Sequence, residues 1–115
     1  MGFETRVHFT LNDLSQIIYS DNQKKGFWDD FEDTDTCLLS KHALIHSEIS
    51  EASEAVRKPH KDEHCPQFNN HTIELADAII RILDLCGACS IDIGGAVLAK
   101  LKYNKTRPYK HGKRC

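Results

Sequence analysis

The clearest hydrophobic pattern in the chain lies between Ile73 and Cys86, in the segment IELADAIIRILDLC. At about 100° per residue, its charged side chains fall in one narrow stripe and apolar side chains cover the rest of the circumference. The charged residues are Glu74, Asp77, Arg81 and Asp84. A helix that is apolar nearly all round is usually buried, and buried charges need a partner, a metal ion or a wet cavity. The pattern therefore predicts a central helix whose stripe faces something other than plain core.

The first part of the chain predicts one helix after a short lead-in. Apolar and polar residues alternate over residues 1–9, which favours extended backbone and permits a short strand. Thr10 and Asp13 resemble a capping pair, and a helix from about Leu11 to Gln23 follows.

A second long helix is predicted to begin at Thr36, with Asp35 or Thr36 as its N-cap. It ends before Pro59, because the residue that precedes a proline is disfavoured in helical backbone. Leu38, Ile45 and other apolar residues at helical spacing form its inward stripe.

The remaining helix ends are marked by capping residues. Asn69 or Asn70 is predicted to start the central helix, and Asp92 to cap a last helix over Ile93–Lys105. Gly94 in the first turn of that helix either weakens it or permits close packing. Together these elements predict an all-α bundle of four to five helices in one domain that spans residues 1–115.

Composition narrows the class of protein. The net charge is −2 and the pI is about 6.4, so no general basic field points to a nucleic acid polymer as partner. The longest apolar run is too short and too charged for a membrane span. Five cysteines without a signal peptide favour reduced thiols and a cytoplasmic location. Cys86 and Cys89 close an apolar helix, where packing thiols are favoured over a redox pair.

Two loops carry residues with chemistry. Residues 27–36, FWDDFEDTDT, are acidic and aromatic and contain the only tryptophan, Trp28. Trp28 is either an aromatic plug at one end of the bundle or a base-stacking residue on a lid. The loop over residues 59–70 holds His60, His64 and Cys65, but their spacing lacks the paired ligands of a structural zinc site.

Two of the predicted helices each offer an acidic pair at i, i+3 spacing. The pairs are Glu48 with Glu51, and Glu74 with Asp77, whereas Glu54 falls on the solvent side of its helix. If the helices pack antiparallel, four carboxylates can converge, and their anionic forms need cations nearby. Carboxylate oxygens suit Mg²⁺ or Mn²⁺. Basic residues follow between Lys100 and Arg107, so the combination points to a polyphosphate substrate held by metal ions.

Three segments carry a resemblance to a known family. They are Ser47–Ala52 (SEISEA), Glu74–Asp77 (ELAD) and Asn104–Tyr109 (NKTRPY), preceded by Gly26–Asp29 (GFWD). In this order and spacing the chain resembles the MazG-like all-α nucleoside triphosphate pyrophosphohydrolases over about residues 26–113. The resemblance implies a helical bundle completed by dimerisation, as a homodimer or a dimer of dimers. It also implies Mg²⁺-dependent cleavage of an NTP or dNTP to the monophosphate and pyrophosphate, in a bacterial cell or a phage-infected host.

The resemblance also implies roles for individual residues. Glu48, Glu51, Glu74 and Asp77 match the metal ligands of the family, and Glu51 is the favoured residue for orienting the attacking water. The substrate-binding positions are Trp28 near the base, Arg81 one turn after the last ligand, and Lys100, Asn104 and Arg107 at the phosphates. The basic tail from about residue 106 continues this last group.

Two alternatives stay open. The chain could be a non-catalytic relative, an interaction or regulatory bundle with a partly protonated carboxylate seam. It could also be a phosphohydrolase of another class with histidine ligands, since His42, His46 and His71 lie near the acidic pairs in sequence.

The roles of Arg81 and Asp84 also stay open. They are either substrate contacts or an ion pair across a dimer interface. The base and sugar preference does not follow from the sequence.

Overall fold

The computed structural model describes residues 2–108 and is all-helical. Its helices are α1 (Phe3–Lys24), α2 (Asp35–Arg57), α3 (Asn70–Ala88) and α4 (Ile93–Lys105). Apart from one isolated bridge between Lys61 and Asn69, the described residues form no β-structure. The all-α prediction is confirmed, and the tail beyond residue 108 lies outside the described residues.

Helix α1 is longer than predicted. It begins at Phe3, so the extended backbone predicted for the lead-in is wrong over residues 3–9, and Thr10 and Asp13 lie inside the helix rather than at its cap. Its first turns pack on α4: Glu4 pairs with Lys102 at 3.3 Å, and the His8 Nε2 lies 2.9 Å from an Asp92 carboxylate oxygen. These contacts between distant parts of the chain favour a helix where local alternation suggested a strand.

The other helix ends follow their capping residues closely. The N-cap of α2 is Thr34, whose hydroxyl accepts from the Cys37 N–H at 3.3 Å, so the prediction of Asp35 or Thr36 is one or two residues late. The Asn69 side chain accepts from the Thr72 N–H at 2.9 Å and caps α3 as predicted. Asp92 caps α4 through the Gly95 N–H at 2.9 Å.

Helix α3 is the central element, because both α1 and α2 pack against it, and α4 packs on α1. Ser15 and Gly87 mark the closest approach of α1 to α3. The Ser15 hydroxyl donates to the Leu83 carbonyl at 2.6 Å, and a methyl group at Gly87 would lie 2.6 Å from the Tyr19 Cβ. A small residue is therefore required where these two helices touch.

The apolar core is small. Its buried members are Trp28, Ala52, Ala55, Ala78, Leu83, Leu85 and Cys86. Burial raises the pKa of the thiols of Cys86 and Cys89, as expected of packing cysteines. Within residues 2–108, no large side chain is completely removed from solvent.

A helix that crosses a bilayer must be both long and apolar. No single helix in the described part of the chain is long and apolar enough. Helices α3 and α4 meet these two requirements only when taken together, and the chain bends by 117° between them.

Candidate metal centre

The packing of α2 on α3 brings three carboxylates together. Glu48 on α2 and Glu74 with Asp77 on α3 each offer one oxygen, and these oxygens lie within 4.8 Å of one another. The i, i+3 spacing places Glu74 and Asp77 on one face of α3. Glu48 is buried and the other two side chains are half-buried. The convergence of the two acidic pairs is thus seen for three of their four members.

The fourth carboxylate, Glu51, lies beside this group. It is one turn after Glu48 on α2, is exposed, and interacts through its carboxyl with both Glu48 and Glu74. Its oxygens are not among the three that converge. Glu51 is therefore the member of the four that is most open to solvent and freest to hold a water molecule.

Two carboxyls of the group, Glu74 and Asp77, have a raised pKa. Burial, together with Glu51 and Glu48, raises the pKa of Glu74 from 4.5 to about 7. Burial and the charge of Glu48 also raise the pKa of Asp77. The Glu74 Oε2 is buried and has no hydrogen-bond partner. A buried, unpaired carboxylate oxygen is costly unless the group is protonated or a cation approaches it.

Arg81 supplies a positive charge to the same group. Its Nε donates to a Glu48 carboxylate oxygen at 2.7 Å, while its own side chain is 42% exposed. Burial opposes ionisation of Glu48, but hydrogen bonds with Arg81, Glu74 and Glu51, together with the charge of Arg81, outweigh it and lower the pKa of Glu48. Glu48 is therefore held as an anion, whereas Glu74 is the carboxyl of the group that keeps its proton to a higher pH.

The donor set fits a hard divalent cation. Oxygens around one octahedral Mg²⁺ lie roughly 3 to 4 Å apart, so the present separation needs only small side-chain movements. The group contains no histidine or cysteine, which favours Mg²⁺ or Mn²⁺ over softer metals. His42, His46 and His71 do not join it, so the hypothesis of a histidine-ligated phosphohydrolase gains no support from the described residues.

Two cavities meet at the carboxylates. The loop-side cavity, of about 580 Å³, extends from Glu51, Glu74 and Asp77 to His60 and His64 on the α2–α3 loop. The aromatic cavity, of about 430 Å³, shares Asp77 with the first. It is lined by Asn22, Phe27, Trp28, Lys41, Glu48, Asp77, Ile80, Arg81 and Asp84. A ligand in either cavity would therefore lie beside carboxylates of this group.

The buried side chain of Asn70 fixes the wall of the loop-side cavity. Its Nδ2 donates to the Lys58 carbonyl at 3.0 Å, and its Oδ1 accepts from the His60 N–H at 3.1 Å. The His60 carbonyl accepts from the Asn70 N–H at 2.8 Å. The loop is therefore tied to the start of α3, next to Glu74.

Trp28 is a packed wall residue of the aromatic cavity. Its side chain is 8% exposed, and its indole N–H donates to Asp84 at 3.0 Å. The Lys41 ammonium lies 4.2 Å from the centre of its ring. This is the arrangement of an aromatic plug, with only part of the ring facing the cavity. A direct contact of Trp28 with substrate stays a prediction.

Arg81 and Asp84 do not pair with each other. Asp84 accepts from the Asn22 Nδ2 at 2.8 Å as well as from Trp28, and Arg81 pairs with Glu48. Each therefore has partners within its own chain. Sequence reasoning missed Asn22 and Lys41 at this site, because neither carries a local signal that links it to α3.

The predicted phosphate-binding residues lie apart from the carboxylates. Lys100, Asn104 and Arg107 are exposed, and Lys100 and Arg107 approach the ring of Tyr103 rather than either cavity. Helix α4 packs on α1, whereas the carboxylates belong to α2 and α3. Within one chain, the described residues do not bring these donors to the site.

The chain was compared with protein families, with curated proteins and with solved structures, and none of the three comparisons gave a match.

Proposed function

We propose that this protein is a Mg²⁺-dependent nucleoside triphosphate pyrophosphohydrolase of the MazG-like type. The observation that carries the proposal is the convergence of Glu48, Glu74 and Asp77 from two helices, with Glu51 beside them, between two cavities. The reaction would convert an NTP or dNTP to the monophosphate and pyrophosphate. The family resemblance supplies this reaction, and the geometry supports the metal-binding part of it.

Each carboxylate of the site, and Arg81 beside them, would have its own role in this reaction. Glu48, Glu74 and Asp77 would hold Mg²⁺, with Mn²⁺ as a substitute, and the metal would neutralise phosphate oxygens and activate water. Glu51, as the exposed carboxylate, would orient that water as a general base. Arg81 keeps Glu48 ionised and lies on the wall of the aromatic cavity, where a bound phosphate or base would meet it.

Lys100, Asn104 and Arg107 enter this proposal through a second copy of the chain. Because α4 packs on α1, these donors would reach phosphates only if a homodimer or a dimer of dimers placed the α4 of one copy beside the carboxylates of another. Substitution of Lys100 should then lower affinity for triphosphate without changing the binding of Mg²⁺.

A product screen tests the reaction. Each dNTP is incubated with the protein and Mg²⁺, and the products are separated. Pyrophosphate with the monophosphate is expected, and orthophosphate alone would contradict α–β cleavage. Glu74→Gln should abolish turnover, whereas Glu32→Gln should not. Glu32 is the matched control, since it is an exposed glutamate of the α1–α2 loop that belongs neither to the convergent group nor to the lining of either cavity.

One observation favours the non-catalytic alternative. The Arg81–Glu48 pair and a proton shared by Glu74 would allow the carboxylates to stay together in a structural seam without a metal ion. A protein that turns over no nucleotide and binds no Mg²⁺ by calorimetry would support this alternative. Turnover by the wild type and its loss in Glu74→Gln would exclude it.

A further inference from the structure

Phe27 is the exposed aromatic residue of the aromatic cavity. Its side chain is 64% exposed, while that of the adjacent Trp28 is 8% exposed, although both line the cavity. An exposed phenyl ring keeps much of its apolar surface in water, and burial of that surface by a ligand would be favourable. Phe27 thus differs from the surrounding aromatic residues, which are already packed.

The backbone holds Phe27 in this exposed position. Gly26, two residues after the end of α1, has a φ of +85°, a conformation that glycine adopts without strain. The Phe27 N–H then donates to the Asn22 carbonyl at 3.1 Å. The Asn22 side chain is itself bonded to Asp84, which also accepts from Trp28. The turn that carries Phe27 is therefore anchored on both sides, and its ring is presented by a fixed segment.

Trp28 is already engaged by other groups. Lys41 lies over its ring, and the rings of Tyr19 and Phe31 contact it edge-on at centroid distances of 5.7 and 4.9 Å. Its indole N–H is bonded to Asp84. A planar ligand would have to displace these neighbours to stack on Trp28, whereas Phe27 needs no displacement.

We propose that Phe27, rather than Trp28, is the surface on which the nucleobase of the substrate stacks. This inference rests on the proposed function and assigns the base end of the same site. The cavity carries Phe27 and carboxylates Glu48 and Asp77 in one lining, which suits a flat ring joined to a metal-bound phosphate. Its volume of about 430 Å³ falls in the usual range of small-molecule sites.

Equilibrium binding separates the base contact from the phosphate contact. Wild type and Phe27→Leu are titrated calorimetrically with each deoxynucleoside monophosphate and with pyrophosphate, all in the presence of Mg²⁺. Loss of base stacking should weaken binding of the monophosphate that wild type binds best by about tenfold or more. Binding of pyrophosphate should not change. Phe27→Tyr, which keeps an aromatic face, should retain affinity for the monophosphate.

Phe68→Leu is the matched control. Phe68 is also exposed, at 49%, but it belongs to the α2–α3 loop and does not line the aromatic cavity. Its substitution should leave both affinities unchanged. Circular dichroism of each variant confirms that the helices are retained.

Several results would overturn the assignment. They are unchanged monophosphate affinity in Phe27→Leu, equal weakening of both ligands, or a change of oligomeric state by light scattering with unchanged binding. The last result would mark Phe27 as a contact between copies of the chain. A wild type that binds the monophosphate through Phe27 but cleaves no triphosphate would instead contradict the proposed reaction and leave the base site standing.

Discussion

The Glu74 carboxyl connects the candidate metal centre to the stability of the fold. Its pKa is about 7 in the folded protein and 4.5 in the unfolded chain. Between these values the folded state retains a proton that the unfolded state has released, so the free energy of unfolding falls as pH rises through that window. Well above pH 7 the Glu74 carboxyl is ionised in both states, so the free energy of unfolding no longer depends on its titration.

This dependence can be measured by denaturant unfolding of metal-free protein at a series of pH values. We expect a loss on the order of 2 kcal/mol between about pH 5 and pH 8. Glu74→Gln cannot ionise and should show little of this loss, whereas Glu54→Gln should show all of it. Equal pH profiles for the two variants would mean that another group is responsible.

Arg81 is expected to stabilise the fold by compensating the buried charge of Glu48. Arg81→Met leaves that carboxylate without its cation, and we expect unfolding free energy to fall by about 1 to 2 kcal/mol, less than for a fully buried pair because Arg81 is partly exposed. Thermal unfolding measures the change. Arg57→Met is the control, since Arg57 pairs with Glu54 at 3.9 Å on the surface and should cost less than about 0.5 kcal/mol. Comparable losses in both variants would contradict the compensating role.

At the scale of helices, Gly94 sets the contact between α4 and α1. A methyl group at this position would overlap the backbone carbonyl of His8, which cannot move without moving α1. We expect Gly94→Ala to lower the unfolding free energy by about 1 to 3 kcal/mol, as overpacking does elsewhere. Chemical denaturation measures this, with Gly2→Ala as control because a Cβ at Gly2 meets nothing within 4 Å. A Gly94→Ala protein as stable as wild type would show that the helices separate at no cost.

Helix ends differ in how far local sequence specifies them. Asn69 and Asp92 were predictable because a capping side chain and its N–H partner are three residues apart. The start of α1 was not predictable, because its first turns are held by Lys102 and Asp92, more than 80 residues away. Local alternation of apolar residues carried no information about those partners.

At the scale of the whole molecule, one chain leaves much apolar surface in water. Its radius of gyration is 16.5 Å, against about 13 Å for a compact chain of this length. On α3, Leu75, Ile79 and Ile82 share one outward face and are 41, 56 and 39% exposed. The central helix is therefore covered on the sides that face α1 and α2 and open on another, which favours association of copies through this face.

Light scattering at a series of concentrations tests this association. We expect wild type to be a dimer or a larger assembly, and Ile79→Glu to shift it to monomer with a thermal midpoint that no longer depends on concentration. Gln16→Glu, which changes an exposed polar residue of α1 by the same charge, should behave like wild type. A monomeric wild type would contradict the prediction of dimerisation.

The sequence by itself determined the all-α class, the approximate positions of three of the four helices, and the presence of an acidic pair on each of α2 and α3. These features depend on periodicity, capping and i, i+3 spacing, which act over a few residues and are visible in one stretch of chain. Whether those pairs would meet depended on the packing of α2 on α3, which brings Glu48, Glu74 and Asp77 together and leaves Glu51 exposed.

Only the tertiary structure decided which charges are partners. In the folded chain Arg81 pairs with Glu48, and Asp84 accepts hydrogen bonds from Asn22 and Trp28. Phe27 stays exposed beside them. Helix α4 packs on α1, away from the carboxylates. The Glu48–Arg81 and Asn22–Asp84 pairs join residues 33 and 62 positions apart, and the contacts of α1 with α4 join residues still farther apart in the chain. No local pattern encodes them, because they depend on how whole helices cross and on which side chains that crossing brings into reach.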